Sequence, residues 1–82
     1  MDEQLGTEQR RLVEALEHAD LSISDLWLRY FALGGDAGVL EVEAYVKGLM
    51  TFAPLEHNIL AHAVNERLDE LASPRAPYRD GG

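Results

Sequence analysis

The stretch ISDLWLRYFALGG, residues 23–35, is the most informative part of this sequence about its fold because it combines the only tryptophan with a dense run of apolar side chains. These recur every three or four positions, which is the helical period, at Ile23, Leu26, Trp27, Tyr30, Phe31 and Leu33. Ser22 precedes the stretch and Asp25 follows three residues later, a variant of the capping box. Gly34 and Gly35 end it, since glycine adopts the left-handed conformation that terminates helices. We predict the central helix of the core here.

A second amphipathic segment precedes this helix. We expect it to begin near Thr7, whose hydroxyl can cap it, with Glu8 at the positive end of the helix dipole. The periodicity breaks around Asp20. Its apolar stripe consists of Leu5, Leu12, Val13, Leu16 and Ala19.

The last helix is predicted to start at Pro54, because a first helical position does not need the missing N–H. Its apolar stripe consists of Leu55, Ile59, Ala63, Val64, Leu68 and Leu71. The remaining residues, SPRAPYRDGG, contain two prolines and no periodicity, so we expect residues 73–82 to be a disordered, flexible tail and residues 1–72 to be a single helical domain.

The segment VLEVEAYVKG, residues 39–48, fits two patterns. Alternation of apolar and polar residues is typical of a half-buried strand, whereas Val39, Val42, Val46 and Leu49 fit a helical stripe that Asp36 could cap. No other segment offers a partner strand, so we predict a helix. The fold class is therefore all-α, a compact bundle of four main helices.

Composition excludes several kinds of site. The 82 residues contain no cysteine, which removes disulfides, thiolate zinc sites, iron–sulfur clusters and cysteine nucleophiles. No apolar run approaches the roughly 20 residues of a membrane span, and no signal segment opens the chain. We expect a cytoplasmic protein.

The residues that bear chemistry do not form a catalytic pattern. His57 and His62 lie five residues apart, which separates them by about 140° around a helix. The serines occupy caps or the tail, and the glycines match no phosphate-binding motif. We therefore expect no catalytic residue, no metal site and no cofactor, and a small metal- or ligand-using enzyme is the least favoured alternative.

The order of elements resembles the helix-turn-helix domain of phage repressors. The resemblance rests on the capped helix LSISDLWLRYFAL, the glycine turn, the pair Lys47-Gly48 and the helix start Pro54-Leu55-Glu56, and it covers residues from about 10 to 71. It implies a recognition helix at residues 38–47, although the turn ALGGDAG is longer than is usual in that family. The stretches DLWLRYFALGG and ILAHAVNERLDEL also resemble small acidic all-helical actinobacterial proteins of unknown function.

Charge opposes the DNA binding that the first resemblance implies. The chain carries 15 acidic and 7 basic residues, a formal net charge of −8, and residues 36–70 hold seven acids against two bases. The segment of the recognition helix offers Glu41 and Glu43 against Lys47, whereas phosphate contacts need Lys and Arg. A degenerate nucleic-acid-binding helix-turn-helix is therefore the alternative.

We favour a regulatory or protein–protein interaction module. Its surface would bind either a protein partner or a second copy of the same chain, which would form a homodimer. The central helix is apolar almost all the way round, which indicates a core position or a covered surface. Trp27 and Phe31 could equally fill the core. The residues we expect where core and interface meet are Trp27, Tyr30, Phe31, Val42, Tyr45 and Val46.

Overall fold

The computed structural model describes the backbone of residues 2–72 and the side chains of residues 7–72. This part of the chain folds into four helices: α1 (Asp2–Ala19), α2 (Ile23–Ala32), α3 (Val39–Val46) and α4 (Pro54–Ala72). The all-α prediction is confirmed, including the helix predicted for residues 39–48. The predicted flexible tail at residues 73–82 lies outside the described residues.

Local chemistry sets most helix ends. Asp20, with a φ of 56°, ends α1, and the Ser22 hydroxyl caps α2 by accepting the Asp25 N–H at 3.1 Å. Helix α2 stops in a Schellman motif, in which the N–H groups of Gly34 and Gly35 donate to the carbonyls of Phe31 and Tyr30 at 3.0 and 2.9 Å. These ends match the predicted ones.

Two predicted caps are wrong. Helix α1 begins at Asp2, so Thr7 lies within the helix and does not cap it. The earlier start has a local reason: the residues before Thr7 include good helix formers and two acids, which are favoured near a helix N-terminus. Helix α3 begins at Val39, so its cap position is Gly38 and not Asp36, and the Glu41 carboxylate reaches back to accept the Gly38 N–H at 2.8 Å.

Helix α4 packs against α1 and α2, and α3 also packs against these two helices. Near the starts of α1 and α4, Glu8 and His57 line one groove. Near their ends, Nε of Arg67 donates to the carbonyl of Ala19 at 3.1 Å. Helices α1 and α4 therefore run in the same direction.

The core is apolar: no charged side chain of residues 7–72 is buried. All four helices contribute to it, through Leu12, Leu16, Ala19, Leu26, Tyr30, Val42, Tyr45, Leu60, Ala63 and Val64. Leu60 was not in the predicted stripe of α4, whereas Leu55 and Leu71, which were, are 65% and 50% exposed. In the first turn of α4, Glu56 and His57 therefore face inward in place of Leu55, whereas all four residues of the last turn, 69–72, are exposed.

Candidate functional site

The hydroxyl of Tyr30 joins α2, the α2–α3 loop and the first turn of α4. It donates to the Glu56 carboxylate at 2.5 Å and accepts the N–H groups of Ala37 and Asp36 at 2.8 and 3.1 Å. Burial, together with the bond to Glu56, raises the pKa of the phenol. The hydroxyl thus stays protonated at neutral pH and holds the loop in one conformation.

Gly35 leaves room for the Tyr30 ring. A Cβ atom at position 35 would lie 2.2 Å from Cζ of Tyr30, far inside van der Waals contact. The absence of a side chain lets the backbone of the loop lie on the ring while its next residues reach the hydroxyl. The glycine pair therefore both ends α2 and shapes the loop.

The same loop holds Trp27. Its indole N–H donates to the carbonyl of Ala37 at 2.9 Å, so Ala37 bonds both to Trp27 and to Tyr30. The Trp27 ring stacks on Phe31, with centroids 5.2 Å apart and planes at 26°. Two aromatic rings are therefore held in a defined geometry on the outer side of α2.

Phe31 and Leu28 expose much of this outer side to solvent. Their exposed fractions are 58% and 57%, and they lie three residues apart, adjacent on one helix face. We define the α2 apolar face as Trp27, Leu28 and Phe31. Leu28 was not among the predicted interface residues, although its spacing from Phe31 could have identified it.

Charged side chains border this face on the side of α4. The Arg29 guanidinium donates two hydrogen bonds to the Glu70 carboxylate, at 3.1 and 3.0 Å, and lies 4.0 Å from Glu66. The bond to Glu70 raises the pKa of Arg29 and lowers that of Glu70. The positive charge of Arg29 is therefore already engaged within the molecule.

The predicted interface residues separate into three groups. Trp27 and Phe31 lie together on the α2 apolar face, and the half-buried Val46 lies on α3 beside α1. The other three belong to the core: Tyr30, Val42 and Tyr45. The structure thus brings together only two of the six on one surface.

Tyr45 contacts α1, α4 and the loop between α3 and α4 at the end of the molecule where α3 leads into α4. Its hydroxyl and Nδ1 of His57 are hydrogen-bonded at 2.6 Å, and its ring stacks parallel to Phe52 with centroids 4.5 Å apart. The Gln9 amide of α1 donates to its carbonyl. Burial, and then the negative charge of Glu8, raises the pKa of Tyr45.

The three histidines are used separately. His18 bonds to the Glu14 carbonyl at 2.9 Å, His62 lies 3.5 Å from the Glu66 carboxylate, and His57 bonds to Tyr45. Within residues 7–72, no group of three or more His, Asp or Glu side chains is placed to hold a metal ion.

Comparison with known proteins gives no relative. No protein-family model, no curated protein and no solved structure matches the chain. None of the helices in residues 2–72 is long and apolar enough to cross a membrane. The resemblances to helix-turn-helix domains and to actinobacterial proteins stay predictions from sequence.

Proposed function

We propose that this protein is a protein–protein interaction module, and that its α2 apolar face binds a partner combining apolar with basic side chains. One observation carries the proposal: Leu28 and Phe31 are both more than half exposed, beside a tryptophan whose orientation the loop determines. Rigid aromatic side chains at the centre of a surface contribute most of the energy in many interfaces, because little conformational entropy is lost on binding.

The charges near this face support a basic partner. Residues 20–38 contain three exposed aspartates, Asp20, Asp25 and Asp36, and one cation, Arg29, which is bound to Glu70. A basic partner is attracted by this field and by the overall charge of −8. A second copy brings the same negative charge, so self-association across this face is opposed by repulsion.

The charges of α3 favour a protein partner over DNA. The Lys47 ammonium lies 3.0 Å from the Glu43 carboxylate, and the Glu41 carboxylate is exposed at the start of the helix. Leu40 is 75% exposed on the same short helix. A surface that reads DNA requires unpaired cations facing phosphates, and α3 presents carboxylates and a leucine instead.

The test uses Trp27 as its reporter, since it is the only tryptophan in the chain. The probe is an amphipathic helical peptide of leucine and lysine without tryptophan, compared with a peptide in which glutamate replaces every lysine. We expect the basic peptide to shift Trp27 emission saturably, and the acidic peptide to produce no shift. Equal binding of both peptides, or no binding of either, would contradict the proposal.

Two matched variants locate the surface. Phe31→Ser removes the exposed ring, whereas Leu40→Ser removes an exposed apolar side chain from α3. We expect Phe31→Ser to weaken peptide binding at least about fivefold, the effect of 1 kcal/mol, and Leu40→Ser to leave it unchanged. If the unmodified protein sediments as a dimer and Phe31→Ser as a monomer, the occupant is a second copy and the basic partner is wrong.

A further inference from the structure

A groove of about 300 Å³ runs between the parallel helices α1 and α4. The alanines Ala15 and Ala61 line it, and their small side chains leave the space open, while the buried Leu12 and Val64 form its apolar floor. This volume is at the lower end of the range in which proteins bind small molecules. The groove is distinct from the α2 apolar face.

Opposite charges line one wall of this groove. Glu8 and Arg11 lie three residues apart on α1, and both are exposed. Neither side chain forms an ion pair or a hydrogen bond with any residue of 7–72. On the opposite wall, α4 contributes the amides of Asn58 and Asn65. The groove therefore combines an apolar floor with one anion and one cation that are unpaired within residues 7–72, and with neutral hydrogen-bonding groups.

We propose that this groove binds a small zwitterion with an apolar side chain, of the class of free α-amino acids with a leucine-like side chain. The ammonium group pairs with the Glu8 carboxylate, the carboxylate pairs with the Arg11 guanidinium, and the side chain covers Leu12 and Val64. A simple anion would be repelled by Glu8 and a simple cation by Arg11. The groove should therefore prefer a ligand that carries both charges over ligands that carry only one.

Titration of the isotope-labelled protein with L-leucine, followed by amide chemical shifts in NMR spectra, tests this inference. We expect saturable shifts along α1 and α4 around the groove. N-acetyl-leucine lacks the ammonium, leucinamide lacks the carboxylate, and glycine lacks the apolar side chain, so each should bind at least about fivefold more weakly. Acetyl-leucine or leucinamide binding as tightly as leucine would indicate a site for a peptide terminus and would overturn the proposal.

Charge-matched variants separate the groove from the general field of α1. Glu8→Gln and Arg11→Gln should each weaken leucine binding about fivefold. Glu14→Gln and Arg10→Gln remove the same charges from α1 outside the groove and should leave binding unchanged. No saturable shift with leucine, or equal losses in the controls, would refute the inference. The α2 face plays no part here, so either proposal can fail alone.

A filled groove provides a second, charge-independent variant. Ala61→Leu places a larger side chain between the helices where the ligand side chain would lie. We expect helical circular dichroism to be unchanged and leucine binding to be lost. Unchanged leucine binding in a folded Ala61→Leu protein would place the ligand elsewhere and overturn the proposal.

Discussion

Replacing Tyr30 with phenylalanine removes the one hydroxyl that joins α2, the α2–α3 loop and α4, and it changes no ring contact. The substitution deletes the hydrogen bond to Glu56 and removes the acceptor for the N–H groups of Ala37 and Asp36. The loop that holds Trp27 through Ala37 would then be joined to α4 only by the long contact, 3.5 Å, between the Asp36 N–H and the Glu56 carboxylate. Stability and the geometry of the α2 apolar face should therefore change together.

The expected cost follows from those three bonds. A neutral hydrogen bond contributes about 1 kcal/mol net, and one to a charged group about 1.5–3 kcal/mol. Glu56 and Asp36 are partly accessible to water, which replaces some of the loss, so we expect a decrease of about 2–3 kcal/mol in the free energy of unfolding. Because a domain of this size is stabilised by roughly 4–12 kcal/mol, the melting temperature should fall by about 10–20 °C.

Urea and thermal unfolding followed by circular dichroism measure this effect, with Trp27 emission reporting on the loop. The matched control is Tyr45→Phe, whose hydroxyl bonds to His57 alone and should cost about 1 kcal/mol. A decrease below about 0.5 kcal/mol for Tyr30→Phe, within the range of ordinary surface substitutions, would refute the reasoning. So would equal losses in the two variants.

Three further predictions concern pH and packing. The pKa of Tyr30 is raised in the folded state, so its stabilisation is complete below the unfolded value of about 10 and is lost as pH rises through the folded value. Above about pH 10, urea midpoints should therefore fall more steeply in the unmodified protein than in Tyr30→Phe. Gly35→Ala should lower the free energy of unfolding in urea by about 3 kcal/mol, since its Cβ would meet the fixed Tyr30 ring. Gly34→Ala places its Cβ in open space but at a φ of 103°, so it should lower the same free energy by about 1–2 kcal/mol. Equal losses in the two variants would contradict this prediction. The pKa of Glu70 is lowered by Arg29, so its stabilisation is present above the unfolded value of about 4.3 and lost as pH falls; Glu70→Gln should flatten the decline of melting temperature below about pH 5 in calorimetry.

The helix positions could be read from sequence because short-range chemistry decides them. Ser22, Gly34 and Pro54 act on backbone groups within a few residues, and the structure places a cap, a helix stop and a helix start there. Asp36 is not the cap because α3 begins three residues after it, at Val39, and the backbone N–H of Asp36 is bonded to the Tyr30 hydroxyl. A local pattern does not show that a loop is held by a distant tyrosine before it enters the helix.

The candidate site was only partly predictable because apolar character does not reveal which neighbour covers a side chain. Tyr30 and Phe31 are adjacent aromatic residues of one helix, yet the first is completely buried and the second is 58% exposed. Their directions differ by about 100° around α2, so that the Tyr30 ring lies against Gly35 and Phe52 whereas the Phe31 ring faces solvent. Glu8 and Arg11 could not be predicted as a binding pair from sequence, because the groove beside them forms only when α4 packs on α1.

From local bonding and composition, the sequence predicts an all-helical chain, the end of α1, both ends of α2, the start of α4 and a strongly acidic surface. The tertiary structure alone shows that α3 packs on α1 and α2, that Tyr30, Val42 and Tyr45 belong to the core, and that Leu28 and Phe31 stay at the surface. The physical reason is that burial depends on the approach of distant helices, and that approach is set by packing across the whole bundle.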